Sequence, residues 1–208
     1  MMSNLHEIIR HYVVPHVMDD VSERLISVCK DNACPDPVKL FRIMVRSDDV
    51  PMHGPIHHSI VPLALITSVW AVVGNFDLEN YLREAVSRSS EIPQAVCGFW
   101  GCCGSAIGVG IFESVMTRTG PLSRGKRWGN CNRSTSDALA SISETGGPRC
   151  CKRNAVLAIL SACESARSDL RVDLSPSSFS CTRYWGSEDC IGSKCPFFPT
   201  KVIPKDVD

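Results

Sequence analysis

A chain of 208 residues with 22 basic and 22 acidic side chains has no formal net charge, which excludes a global field that would draw in nucleic acid or an anionic membrane. Apolar residues make up 44% and charged residues 21%, the balance of an ordinary folded chain and not of a disordered one. The length supplies one sizeable core, so no disulfides are needed to compensate for a small one. Twelve cysteines therefore need another explanation. The N-terminus has no basic patch followed by an uninterrupted apolar stretch, so a cytoplasmic location is expected, where cysteines point to metal binding or thiol chemistry. The apolar runs at 60–73, broken by Pro62, and at 95–116, broken by Glu113 and many glycines, read as core helices and not as membrane spans.

Taken in order, Leu5, Ile8, Ile9, Tyr12, Val13, Val17, Val21, Leu25 and Val28 recur at helical spacing, with a break at Pro15. Cys29 and Cys34 are spaced like a zinc-ligand pair, but no second pair follows at the usual distance. Pro35-Asp36-Pro37 is a turn into a short helix through Leu40, Phe41 and Met44. His53, His57 and His58 fall within six residues, a cluster suited to ligation or acid/base work, whereas a lone histidine is more often structural. A helix apolar on nearly every face follows and is closed by Gly74-Asn75; Asp77 caps the next.

The densest stretch, from Cys97-Gly98-Phe99-Trp100-Gly101-Cys102-Cys103-Gly104 into Ala106-Ile107-Gly108-Val109-Gly110, reads as a loop entering a helix. Thiols there face the positive end of the helix dipole, which favours thiolate; the plain alternative is a close-packed helix in which cysteine is a small apolar residue. The glycines are read as allowing unusual backbone angles and close approach of a ligand. Residues 117–133, rich in arginine and glycine, read as a basic loop, and Ser134-Thr135-Ser136-Asp137 as a capping box opening a helix that Gly146-Gly147-Pro148 ends. Arg149-Cys150-Cys151-Lys152-Arg153 starts another helix, with two thiols among three cations that would depress their pKa values. Cys163 lies on that helix's apolar stripe and reads as packing. From Ser175 the helical period is lost. Cys181, Cys190 and Cys195 stand in a segment too poor in aliphatic residues to build its own core, which a metal would order.

These motifs, namely His53-Gly54-Pro55-x-His57-His58, Cys97-Gly98-Phe99-x-Gly101-x-Cys103-Gly104, Thr119-Gly120-Pro121-Leu122, Gly146-Gly147-Pro148-Arg149-Cys150-Cys151-Lys152-Arg153 and Cys190-Ile191-Gly192-x-x-Cys195-Pro196-Phe197, resemble those of a prokaryotic family catalogued as domain of unknown function 5714. The likeness covers about residues 34 to 198. Cys29 and Cys102 lie off its pattern. The resemblance implies an association with S-adenosylmethionine-dependent methyltransferase domains in some members, and it carries no activity.

The expectation is an all-α single domain of about seven helices, with N-terminal helices at 1–46, a helical core at 47–174 and an irregular cysteine-rich tail at 175–208. Its function is expected to be that of an iron–sulfur protein, with Cys97, Cys103, Cys150, Cys151, Cys181, Cys190 and Cys195 as metal ligands. A redox or cluster-dependent role on a small anionic or sulfur-containing substrate would use Arg149, Lys152 and Arg153 to bind it. His53 and His57, with Cys150 and Cys151, would do the chemistry. The alternatives are a zinc-binding interaction module and a metal-free thiol enzyme or carrier linked to methyl transfer. The partners expected are a small molecule or a redox protein, with no nucleic acid and no membrane. The three cysteine groups are expected to converge on one site.

Overall fold

The computed structural model describes residues 19–200, so the expected helical stretch before residue 19 lies outside the described residues. Within them the chain is all helix, turn and irregular segment. Asp19 accepts a hydrogen bond from the Ser22 backbone and opens α1 (Asp20–Asp31). Asp36 does the same for α2 (Pro37–Met44), whose first residue is a proline already set at a helical φ.

Helix α3 (Ile56–Val73) is the hub. Its residues from Ser59 to Val69 are buried without interruption, because α1, α2, α4 (Leu78–Ser90), α6 (Gly104–Met116) and α8 (Cys151–Ser165) pack around it. It is long and apolar enough to cross a membrane by length and composition, and 72% of it is buried inside the fold. Ile60, Leu63, Ile66, Phe41, Phe112 and Ile159 are fully buried; each such side chain contributes about 1.5–3 kcal/mol.

Helices α3 and α6 pack closely because of two glycines, and a third brings α6 against α7 (Lys126–Thr145). A Cβ on Gly104 would lie 2.2 Å from the His58 ring and one on Gly108 2.9 Å from the His58 carbonyl oxygen. Pro62, four residues on, has no N–H to offer that carbonyl, and the Gly108 backbone fills the space beside it. On another face, a Cβ on Gly110 would meet Thr135 Oγ1 at 2.3 Å. These three glycines are helix-packing surfaces. Of the stretch's glycines only Gly101, at φ 68°, turns the chain through the left-handed region, between the short α5 (Val96–Phe99) and α6.

Helix α7 corrects the sequence expectation. It runs Lys126–Thr145, so the basic segment is a loop only to Gly125, and Ser134-Thr135-Ser136-Asp137 lies inside the helix. The physical reason is tertiary. Ser134 and Ala138 dock on the core while Asn132 Nδ2 and Thr135 Oγ1 donate to the carbonyls of Trp128 and Cys131 at 2.9 and 3.0 Å, which satisfies the side chains locally.

After α8 a π-turn (Ala166–Leu170) releases the tail. The tail is irregular, as expected, and its two flanks are tied down by contacts to the helices. Ser177 N–H donates to Asp36 at 3.1 Å and Arg42 to the Ser178 carbonyl at 2.8 Å. Phe179 stands edge-on between Phe41 and Phe197, with centroids 5.6 and 5.4 Å away. The segment 182–194 forms a bow between these anchors, with Tyr184 against Phe198 and Ser187 3.3 Å from His53.

Candidate functional site

Two helices start on a cysteine. Cys103 is the N-cap of α6, and Cys150 that of α8, where its sulfur accepts from the Arg153 N–H at 3.5 Å. Cys150 and Cys151 are thus the cap and the first residue of one helix, so their side chains diverge.

Cys150 turns to the tail. It lines a small cavity of about 30 Å3 together with Cys181, Cys190 and Cys195. Backbone N–H groups reach three of these four sulfurs: Arg153 on Cys150, Arg183 on Cys181 and Phe197 on Cys195. Burial raises the pKa of the Cys181 and Cys195 thiols, and those N–H groups oppose the rise. Lys152 lines the same cavity; its Nζ is buried and without a hydrogen-bond partner, and burial, with Arg183 nearby, lowers its pKa to about 8.

Cys151 turns the other way. With Cys97, Cys103 and His58 it lines a second cavity of about 20 Å3. The Gly54 N–H reaches the Cys151 sulfur, which burial nevertheless pushes up in pKa. Asn154 Nδ2 donates to Cys103 Sγ at 3.5 Å. Cys97, Cys103, Arg149 and Asn154 are shared with a much larger cleft of about 750 Å3, walled by α7 and the Gly146-Gly147 loop.

The three cations have different settings. Arg153 donates to the Gly146 and Pro148 carbonyls at 2.8 and 2.9 Å and to Asn154 Oδ1 at 3.3 Å, so its guanidinium holds the cleft wall. Lys152 faces the tail cavity. Arg149, exposed, lines the cleft.

The histidines separate too. His53, half-buried, lies 3.3 Å from Ser187 Oγ, with its pKa lowered by burial and by Arg149. His57 is 0% exposed, donates from Nε2 to the Pro51 carbonyl at 3.0 Å and is pushed down to about 3 by burial. It is a neutral structural ring. His58 is the histidine that lines the cavity with the thiols, and its Nδ1 is buried without a partner; the sequence marked it as one of the cluster of three but favoured His53 and His57, and it did not mark Asn154. Asn154 lies one helical turn after the candidate Cys150. Cys29 is 0% exposed against Met44, with its thiol pushed up to about 12 by burial, and Cys163 is buried likewise.

The seven cysteines therefore line two cavities and not one, four against three. Among the described residues no group of three or more His, Cys, Asp or Glu side chains is gathered so as to hold a metal ion. No curated protein and no solved structure matches the chain. The match of the family model over residues 25–198, which spans every one of these cysteines and the histidines beside them, means that the chain belongs to the family of unknown function DUF5714.

Proposed function

We propose that this is an iron–sulfur protein in which Cys150, Cys181, Cys190 and Cys195 hold a cluster and the adjacent cleft takes a small anionic or sulfur-containing molecule. The observation that carries the reading is the environment of the four sulfurs. Thiols from two distant segments ring one cavity, and three of them accept backbone N–H groups. Such bonds favour the thiolate and are a known control of cluster potential. Lys152 supplies a buried cation facing that negative charge, which would otherwise be a charge lacking a partner. A cluster asks that sulfurs ring a common space, since each binds its own iron, and not that all meet at one point as around a lone zinc. When bound, it would supply one-electron transfer.

The second reading is a metal-free thiol enzyme or carrier working through Cys150 and Cys151; burial raises the Cys151 thiol's pKa, which counts against that residue as the nucleophile. The test is iron, acid-labile sulfide and visible absorption of chain purified without oxygen, beside Cys181→Ala and Cys195→Ala. Iron with sulfide that falls in both variants supports the reading. Zinc at one per chain with no sulfide, or no metal, overturns it.

A further inference from the structure

We infer that the cleft beside the thiols binds a flat ring carrying an anionic group, with the ring between Phe99 and the α7 wall and the anion on Arg149. The inference rests on the cleft half of the reading above, narrows its small anion to one chemical class and makes no use of a metal.

The anion follows from charge. The cleft has about 750 Å3 of space, within the range of sites that enclose an organic ligand and more than an inorganic ion needs. No acidic side chain lines it, and two arginines do. Arg153 is committed to the Gly146 and Pro148 carbonyls. Arg149 is exposed, and none of the ion pairs among the described residues includes it. One guanidinium is therefore available, and its planar fork suits a carboxylate or a phosphate.

The ring follows from side chains that are present and from two that are absent. Phe99 lines the cleft and is 84% exposed, an aromatic face with little packed on it. Gly98 beside it and Gly147 on the loop also line the cleft. Neither has a positive φ, and a Cβ on either would meet no atom within 4 Å. Helix packing accounts for Gly104, Gly108 and Gly110 but not for these two; what their bareness does is leave backbone open to the cleft, where a flat group can lie against it. On the α7 side stand Leu139, Ala140 and Ile142, an apolar wall without charge. An aromatic ring offered to Phe99 gains both area and stacking geometry there. Nucleotides and aromatic acids both join a ring to an anion, and the probes separate them.

The experiment is isothermal titration of the anaerobic full chain with adenosine 5′-monophosphate and with indole-3-propionate, beside adenosine, which lacks the anion, and inorganic phosphate, which lacks the ring. At least one of the ring-bearing anions is expected to bind about tenfold or more tighter than either fragment. It should also protect Cys97 and Cys103, which line the cleft, from iodoacetamide, while Cys190 in the tail is alkylated as before. Arg149→Ala should raise the dissociation constant about tenfold and Phe99→Ala about fivefold, with helical content and melting temperature unchanged, because both side chains are exposed. Binding by neither ring-bearing anion, a fragment that binds as tightly as they do, or constants unmoved in both variants overturns the inference. Iron and sulfide are read on the same samples. Iron without ligand binding overturns this inference and leaves the cluster standing, whereas ligand binding without iron overturns the cluster and leaves this inference standing.

Discussion

Glu113 is a carboxylic acid enclosed by α6, α7 and the π-turn, 0% exposed and with neither oxygen hydrogen-bonded. Burial, with Asp169 adding like charge, raises its pKa from an ordinary 4.5 to about 7. Folding therefore favours the protonated form. The stability it contributes is complete below pH 4.5 and is lost as pH rises through about 7; the loss is of order 3 kcal/mol. Glu113→Gln should remove this part of the pH dependence, so that urea midpoints at pH 5 and pH 8 draw together and the variant is the more stable chain at pH 8. An unchanged midpoint difference would assign the pH dependence to other groups. Arg149 and Arg153 make the opposite pair of predictions. Arg153→Lys loses the planar fork on the Gly146 and Pro148 carbonyls and should cost about 1.5–3 kcal/mol in unfolding free energy. Arg149→Ala should leave the melting temperature within a degree or two while weakening anion binding in the cleft. Equal destabilisation by both would mean that Arg149 too is part of the wall.

At the scale of elements, α6 and α3 are set by how closely their backbones approach. Gly108→Ala puts a methyl 2.9 Å from the His58 carbonyl oxygen and 3.0 Å from Pro62 Cδ, against backbone and a ring that cannot swing away. The expected cost is about 1–3 kcal/mol, read as a lowered urea midpoint with unchanged slope, whereas Gly98→Ala, with nothing within 4 Å, should be near neutral. Near neutrality at Gly108 would show that the helices can part without loss. The same residues mark what the sequence could and could not reveal. Gly-flanked cysteines followed by apolar period were enough to place Cys103 and Cys150 at helix starts, and the apolar run after His58 was enough to mark α3 as central. The glycine spacing of Gly104, Gly108 and Gly110 carried the helix packing, but in one dimension it looks the same as a loop built for a ligand. Helix α7 was hidden because Gly125, Gly129, Asn130 and Asn132 are poor helix formers, and only docking of Ser134 and Ala138 decides the matter. The division of Cys150 from Cys151 was equally hidden, since it depends on side-chain direction at a helix cap and not on spacing.

For the whole molecule, the tail joins stability to function. Its anchors, Phe179 against Phe41 and Phe197 against Phe179, lie on either side of the cysteine-bearing bow at 182–194, which has no aliphatic core of its own. The aromatic clamp brings Cys181 and Cys195 to Cys150, and metal binding would add the free energy that closes the bow on them, because a ligand that binds only the folded arrangement stabilises it by mass action. Two consequences are separable. Trypsin should cut the metal-free chain at Lys194 within the bow and cut the loaded chain at least tenfold more slowly, with helical content the same in both. Phe179→Ala, which removes no ligand, should lower iron per chain and restore rapid cleavage at Lys194. Full iron with slow cleavage in Phe179→Ala would show that the segment closes without the aromatic clamp.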